Sequence, residues 1–217
     1  MQAGGFARLG KILSPRTSDR LRELYPDHAR FRSTIDMQRF RFGRGEYRYF
    51  SYPLPADVDR LRHELYLELL PVARQWSLAL HLGAEYPPEL DDFLRMCHRS
   101  GQRRPTPLLL RYRAGDFNCL HQDLYGALFF PFQVIVSLSE PGTDFSGGEL
   151  LLVEQRPRAQ SIGRALSLEK GEAVAIATRF RPVQGKRGIY RSTFRHGVSP
   201  VTHGERYTLG IIFHDAA

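Results

Sequence analysis

Two histidines and one aspartate in the second half of the chain are residue types that bind a transition metal. His121 and Asp123 are two residues apart, so on a β-strand their side chains would point to the same face. A second histidine, His196, comes much later and is followed by a glycine. Two imidazoles and one carboxylate on one face of a metal leave the opposite positions open for other ligands. The sequence therefore predicts a metal site formed by His121, Asp123 and His196.

Arg206 lies ten residues after His196 and begins the stretch Arg206-Tyr207-Thr208-Leu209. A guanidinium group is planar and always charged, so it is suited to a bidentate grip on a carboxylate. Three protein ligands on one face of the metal, with open positions on the opposite face, are typical of Fe(II) oxygenases. In these enzymes the open positions take a co-substrate and O2. Because 2-oxoglutarate has a free carboxylate at its far end, we interpret Arg206 as its binding residue. Each histidine alone is compatible with a structural role, and the hypothesis depends on all these residues together.

Composition indicates an ordinary globular protein of one or at most two domains. The chain has 217 residues, of which 42% are hydrophobic and 25% charged. No apolar run approaches the roughly 20 residues that span a bilayer, and the first residues lack the apolar core of a signal peptide. The two cysteines, Cys97 and Cys119, do not make a disulfide framework. We therefore expect a soluble, cytoplasmic protein.

The positive charge of the chain is concentrated near the N-terminus. The formal net charge is +8, and residues 1–48 carry ten arginines and one lysine against five acidic residues. A basic segment beside a catalytic core suits a polyanionic partner such as nucleic acid. The alternative is that these arginines only form a solvated face.

The N-terminal region, residues 1–104, is predicted to be mostly helical and to pack on the core. Helices are expected at residues 17–32, 56–82 and 89–98. Between the first two, alternating arginines and aromatics at residues 39–42, a glycine turn and residues 46–50 predict a β-hairpin. One interpretation is a lid that stacks bases and grips phosphates, and the other is an edge hairpin packed on the core. The candidate substrate-binding residues of the lid are Arg39, Arg41, Tyr47 and Tyr49.

Residues 105–217 are predicted to form a mainly β catalytic core. Short apolar runs alternate with Gly- and Pro-containing turns at regular spacing, which is typical of a sandwich or jelly roll. A double-stranded β-helix of this kind would bring the three metal-binding residues to one mouth. The strands are expected at residues 108–112, 118–123, 132–139, 147–153, 164–168, 173–178, 192–198 and 207–214.

The core resembles the 2-oxoglutarate- and Fe(II)-dependent dioxygenase superfamily, and within it the AlkB-like nucleic-acid oxygenases of bacteria. The resemblance covers roughly residues 105–215 and is carried by Tyr112 nine residues before His121, by Leu120-His121-Gln122-Asp123, by His196-Gly197-Val198 and by Arg206-Tyr207-Thr208-Leu209. It implies Fe(II), 2-oxoglutarate and O2 as cofactors and co-substrates, with succinate and CO2 as products. By the same match, Tyr112 and Arg206 would hold the distal carboxylate, and Thr208 stands where the family has an Asn that helps place the co-substrate.

Departures from the AlkB-like pattern leave the substrate open. The second family arginine, six residues after the first, is replaced by Ile212. His196 followed by Pro200-Val201, Gly204 and Arg206 is equally similar to the prolyl 4-hydroxylase type. Three hypotheses therefore remain: oxidation or demethylation of nucleic acid, hydroxylation of a protein or peptide, and a small-molecule oxygenase or a non-catalytic metal-binding jelly roll. A shared fold does not decide among them.

Overall fold

The chain folds mainly into β-strands that form two antiparallel sheets, as the sequence predicts. The computed structural model describes residues 4–217. Within this range the α-helices are α1 (Pro15–Glu23), α2 (Ala56–Ala79) and α3 (Leu90–Arg99). The strands are β1 (Phe6–Lys11), β2 (Phe31–Asp36), β3 (Gly43–Arg44), β4 (Glu46–Phe50), β5 (Leu108–Arg113), β6 (Phe117–His121), β7 (Phe132–Ser137), β8 (Phe145–Gly147), β9 (Leu150–Gln155), β10 (Ile162–Leu166), β11 (Glu172–Ala177), β12 (Phe180–Gly185), β13 (Gly188–Val198) and β14 (Val201–Ile212).

The two sheets divide the strands unequally. The larger sheet has the order β1-β11-β7-β14-β5-β4-β2, with β8 beside β14, and the smaller has the order β10-β9-β13-β6-β3, with β12 beside β13. Strands from the first 50 residues thus lie at both ends of the larger sheet, and β3 lies at the edge of the smaller one. The N-terminal part of the chain therefore contributes strands as well as helices to the structure around the site.

Helix α2 and the larger sheet share one hydrophobic core. Val58, Leu61, Leu65 and Leu69, which the sequence places on one stripe of the helix, are all buried in this core. Trp76 near the end of α2 packs edge-on against Phe132 of β7, with ring centroids 4.6 Å apart. The predictions of helices at 56–82 and 89–98 are confirmed with slightly different ends. No helix among residues 4–217 has the length and apolar character needed to cross a membrane.

The helix predicted at residues 17–32 forms only over its first half, and the prediction for the second half is wrong. Helix α1 ends at Glu23, a short 3-10 turn follows at His28–Arg30, and β2 begins at Phe31. Pro26 has no backbone N–H and disfavours a helical conformation of the residue before it, so the helix cannot continue through this point. The residues that follow pair with β4 instead.

The predicted hairpin between residues 39–42 and 46–50 is also wrong. Strand β4 does form, but its partners are β2 on one side and β5 on the other. Residues Gln38–Phe40 form a 3-10 turn, and Arg41 has a left-handed backbone with φ of 60°. An alternation over only four residues does not distinguish a strand from a turn with exposed aromatics, because a strand also needs a free neighbouring edge.

Candidate metal centre and active site

The three predicted metal ligands meet where β6 and β13 pair. His121 at the end of β6 lies directly opposite His196 of β13 in the antiparallel register. Asp123, the last residue of the strand that the sequence predicts at 118–123, lies in the loop two residues after the observed end of β6 at His121. One ligand atom from each of the three residues lies within 4.8 Å of the other two. The spacing of two residues and the strand pairing together place the three donors around one point.

Hydrogen bonds orient the donor atoms toward that point. The Nδ1 atom of His121 lies 2.8 Å from the carbonyl oxygen of Cys119, so it carries the proton and leaves Nε2 as the donor for a metal. That Nε2 atom is 3.5 Å from Oδ1 of Asp123, and Nε2 of His196 is 3.3 Å from Oδ2. The two imidazole rings have centroids 4.2 Å apart. The arrangement brings two imidazole nitrogens and one carboxylate to face each other.

The charges of these residues favour cation binding. Burial would raise the pKa of Asp123, but hydrogen bonds from both histidines hold it well below its usual range, so the carboxylate is ionised. Burial and the charge of His121 lower the pKa of His196, which keeps that imidazole neutral. Burial is the largest influence on the pKa of His121 and lowers it, but the hydrogen bond and charge of Asp123, together with the hydrogen bond to the Cys119 carbonyl, raise it overall. A neutral imidazole and an ionised carboxylate are the forms that ligate a metal.

Gln122 anchors the segment between the two ligands. Its side chain donates to the carbonyl oxygens of Phe194, at 2.7 Å, and Arg179, at 3.2 Å. The β6–β13 register shifts between His196 and Val198, so β6 is irregular before His121. Cys119, which a regular strand would turn toward the metal, is exposed.

Tyr125 contacts the predicted metal site and was not predicted from the sequence. Its hydroxyl donates a 2.7 Å hydrogen bond to Oδ1 of Asp123 and accepts a 3.0 Å hydrogen bond from Tyr49. Burial and the neighbouring Asp123 charge raise the pKa of Tyr125 well above its usual value, so the hydroxyl remains a donor. Tyr125 is only two residues after Asp123, but this spacing in a loop does not by itself predict a hydrogen bond, and only the fold brings Tyr49 to the Tyr125 hydroxyl.

The three residues assigned to 2-oxoglutarate line the same pocket as the metal ligands. Arg206 of β14 lies directly opposite Tyr112 of β5, and Thr208 follows two residues later on the same strand. The Arg206 guanidinium lies 5.5 Å from the centre of the Tyr112 ring. All three side chains are buried, and burial lowers the pKa of Arg206 from its usual value. Within residues 4–217, the Nη1 atom of Arg206 has no hydrogen-bond partner.

These features fit the metal and the co-substrate that the ligand set implies. A buried guanidinium with an unpaired N–H would bind a carboxylate that enters the pocket, since an unpaired buried charge is costly. The cavity has a volume of about 200 Å3, and apolar side chains form much of its wall. A mostly apolar pocket with a few convergent polar groups is typical of a ligand site. The two-histidine, one-carboxylate donor set suits Fe(II).

The four candidate substrate-binding residues do not lie together. Tyr47 and Tyr49 of β4 line the pocket, whereas Arg39 and Arg41 are exposed and lie outside its lining. Phe42, which the sequence analysis placed in the hairpin without a substrate role, does line the pocket. Phe42, Tyr47 and Tyr49 therefore line the pocket, and Arg39 and Arg41 face solvent.

Comparison with known proteins identifies the family. Residues 45–216 match the family of oxygenases described as "Oxygenase, catalysing oxidative methylation of damaged DNA". The chain is 53% identical over 168 residues to uncharacterized proteins from two strains of Mycobacterium tuberculosis, with 77% of this chain and 72% of theirs covered.

Solved structures share the fold at low sequence identity. A viral collagen prolyl hydroxylase from Paramecium bursaria Chlorella virus-1 has a TM-score of 0.57 and 15% identity, over 97% of this chain and 96% of that one. A prolyl-4-hydroxylase from Pseudomonas putida has a TM-score of 0.55 and 16% identity, over 99% and 94%. A 2OG-Fe(II) oxygenase family protein from Burkholderia pseudomallei has a TM-score of 0.51 and 17% identity, over 99% and 87%. With the His-Asp-His cluster in place, the chain belongs to this nucleic-acid oxygenase family and is an oxidoreductase of the 2-oxoglutarate and Fe(II) oxygenase class.

Proposed function

We propose that this protein uses Fe(II), 2-oxoglutarate and O2 to hydroxylate methylated or otherwise damaged nucleic acid, and that hydroxylation of an N-methyl group removes it. The observation that carries the oxygenase part is the His121, Asp123 and His196 cluster in one pocket with the buried Arg206, whose Nη1 atom has no hydrogen-bond partner within residues 4–217. When bound, the metal and 2-oxoglutarate supply the oxidising power for hydroxylation of a substrate C–H bond, with succinate and CO2 as co-products. A hydroxylated N-methyl group is a hemiaminal, which sheds formaldehyde.

Each residue of the pocket has a task in this reaction. The three ligands hold the metal on one side, and Tyr125 keeps the Asp123 carboxylate in one orientation through its hydrogen bond. Arg206 and Tyr112, with Thr208 beside them, hold the far carboxylate of 2-oxoglutarate.

The apolar wall formed by Ile135, Leu150 and Val198 keeps water from the reacting atoms. Tyr47 and Tyr49 leave an aromatic surface for a planar base.

Two observations support nucleic acid as the substrate. The family that matches residues 45–216 is described by its action on damaged DNA. The first 48 residues carry most of the net charge of +8, which attracts a polyphosphate backbone.

We propose in addition that the catalytic core, residues 105–217, is a double-stranded β-helix.

The test is succinate formation by protein loaded with Fe(II) without oxygen and then exposed to O2, with and without N-methylated single-stranded DNA. Stimulation of succinate release together with equal formaldehyde release is the expected result. The matched inactive control is His121→Ala, and an unmethylated oligonucleotide of the same sequence is the substrate control. Succinate release that methylated DNA leaves unchanged would contradict a nucleic-acid substrate and retain the oxygenase.

A protein or peptide hydroxylase is the second candidate function. The solved structures with similar folds include prolyl hydroxylases, and the stretch from His196 through Pro200-Val201 to Arg206 is similar to theirs. This candidate predicts a protein target that gains the mass of one oxygen atom and a reaction rate that does not respond to DNA. Mass spectrometry of a lysate treated with the loaded enzyme, compared with the His121→Ala control, distinguishes the two candidates.

A further inference from the structure

Residues 37–45 form a closed loop, here called the aromatic loop, between β2 and β4. The ends of this loop are joined by a 3.0 Å hydrogen bond from the Met37 amide to the Gly45 carbonyl oxygen. Met37 is fully buried, and its carbonyl oxygen accepts the amides of Phe40, at 3.2 Å, and Phe42, at 2.9 Å. Compact loops with joined ends are often functional. The aromatic loop therefore has a defined shape of its own, and within it only Gly43–Arg44, which form β3, join a sheet.

The aromatic loop carries two exposed phenylalanines that stack on each other. Phe40 is 51% exposed and Phe42 is 48% exposed, and their ring centroids are 5.7 Å apart at an interplanar angle of 19°. Leaving two large apolar rings in water forfeits the free energy of their burial. The stacked pair presents a flat apolar face, which fits a flat partner.

This stacked pair lies at the mouth of the pocket. Phe42 lines the pocket, and its carbonyl oxygen accepts a 2.8 Å hydrogen bond from the amide of Cys119, two residues before the metal ligand His121. Gly43 pairs with Asn118, and a Cβ atom at Gly43 would lie 2.4 Å from the Phe117 carbonyl oxygen. The close approach of the two backbones at Gly43 thus fixes the loop against the metal-binding strand.

The charge around the stacked pair is positive. Arg39 and Arg41 are exposed, and within residues 4–217 their side chains make no hydrogen bond or salt bridge. Arg44 is also exposed, with its Nε atom 3.8 Å from Asp116. The neighbouring carboxylates are already engaged, because Asp36 accepts the Gln38 amide and Asp116 accepts the Arg113 amide. Two unpaired guanidinium groups beside a flat apolar face complement a polyanion with planar bases.

We propose that the aromatic loop binds the nucleotide next to the one in the pocket, with its base stacked on Phe40 and Phe42 and its phosphates near Arg39 and Arg41. This inference rests on the proposed function and narrows its substrate to unpaired nucleic acid. In a duplex both faces of a base are covered by its neighbours, so a base can stack on the rings only in a single strand or a locally opened one. A peptide would use the apolar rings but would leave the two arginines without phosphate partners.

The test measures binding of a methylated single-stranded oligonucleotide to protein loaded with Mn(II) and 2-oxoglutarate, in which no turnover occurs. The variant is Phe40→Ala with Phe42→Ala, and the matched control is Leu78→Ala, which removes a 77% exposed apolar side chain from α2. We expect a loss of about tenfold in affinity for the double variant, because stacking of one base on an aromatic ring is worth roughly that factor. The Leu78→Ala control and the affinities for Mn(II) and 2-oxoglutarate should not change.

A fluorescent 2-aminopurine beside the methylated base reports stacking directly, since stacking quenches its emission. The wild-type protein should quench it in at least one of the two neighbouring positions, and the double variant should not. Gly43→Ala keeps both rings but displaces the loop from Phe117, so it should lose the same quenching.

The outcomes separate this inference from the proposed function. Wild-type protein that demethylates the oligonucleotide while the double variant binds it equally well would overturn the stacking role and leave the proposed function standing. Wild-type protein that neither binds nor oxidises nucleic acid would overturn both. A double variant that loses binding to a peptide substrate instead would assign the loop to a protein partner and overturn the inference.

Discussion

The hydroxyl of Tyr125 donates a hydrogen bond to Oδ1 of Asp123, and the Tyr49 hydroxyl donates to Tyr125 in turn. This pair of hydrogen bonds connects β4, in the first 50 residues, to the carboxylate of the predicted metal site. Oδ2 of Asp123, which faces His196, is left for a metal. The orientation of one metal ligand therefore depends on a strand that lies outside residues 105–217.

Tyr125→Phe should weaken metal binding. The substitution removes the hydroxyl that orients Asp123 and leaves the ring in place, and loss of such a supporting hydrogen bond weakens metal affinity by about tenfold. The measurement is the dissociation constant for Mn(II) by calorimetry, with Tyr86→Phe as the control, because the Tyr86 hydroxyl donates to the Phe129 carbonyl oxygen at 3.2 Å. Equal affinities in the two variants would show that Tyr125 does not support the ligand.

His121→Ala should abolish stoichiometric binding of Fe(II) or Mn(II). Two remaining donors cannot hold a divalent metal with the geometry of the three-residue cluster. The control is His203→Ala, which removes an exposed histidine of β14. Retained stoichiometric binding or turnover in His121→Ala would contradict the assignment of the metal site.

Arg206→Met should weaken 2-oxoglutarate binding and should not lower the free energy of unfolding of the ligand-free protein. The buried guanidinium has an unpaired Nη1 within residues 4–217, so its removal loses a carboxylate partner without breaking an ion pair. Charged hydrogen bonds of this kind are worth about 10- to 100-fold in affinity. Calorimetry with Mn(II)-loaded protein measures the affinity, and chemical denaturation measures the stability. The affinity of the Arg206→Lys variant for 2-oxoglutarate should lie between those of the wild-type protein and Arg206→Met, because lysine keeps the charge but not the planar guanidinium. Unchanged affinity would mean that another residue holds the carboxylate.

Arg39→Ala with Arg41→Ala should reduce the salt dependence of oligonucleotide binding. If each arginine neutralises one phosphate of a single strand, the slope of log affinity against log salt falls by about 1.4 in magnitude. The control is Arg16→Ala with Arg99→Ala, which removes the same charge from exposed positions on α1 and α3. Equal slopes in the two double variants would show that only the overall charge matters.

Acidification should destabilise the protein through His214. This side chain is fully buried, and burial, followed by the charge of Arg62, lowers its pKa from 6.5 to about 4. Between these two values the unfolded chain binds the proton more tightly, so stability falls as the pH falls from about 6.5 to about 4. The integrated loss is roughly 3 kcal/mol.

The variant that tests this pH dependence is His214→Asn. An asparagine oxygen can still accept the Phe130 amide, which donates to Nδ1 of His214 at 3.2 Å, but it does not titrate. Urea denaturation at several pH values measures the free energy of unfolding of the wild-type protein and of His214→Asn. The difference between the two free energies should change between about pH 4 and pH 6.5 and should be constant above pH 6.5. A gap that is independent of pH would assign the acid sensitivity to other groups.

The chemistry of this protein could be predicted from the sequence because its metal ligands form short, local patterns. His121 and Asp123 are only two residues apart, and the residues around His196 and Arg206 match a known family. The oxygenase class is confirmed by the family match and the cluster geometry. The helix at 56–82 was predictable for the same reason, since a stripe of apolar residues has the period of a helix whatever it packs against.

Other features were decided only by the tertiary structure. Phe31–Asp36 became a strand because β4 offers it an edge, and Arg39 to Phe42 became a turn because Met37 and Gly45 close the loop there. Tyr49 reaches Tyr125, and Phe42 reaches the pocket, through pairings between segments far apart in the chain. Local spacing determines which side chains share a face, whereas the choice of strand partner depends on competition among all the edges in the folded chain.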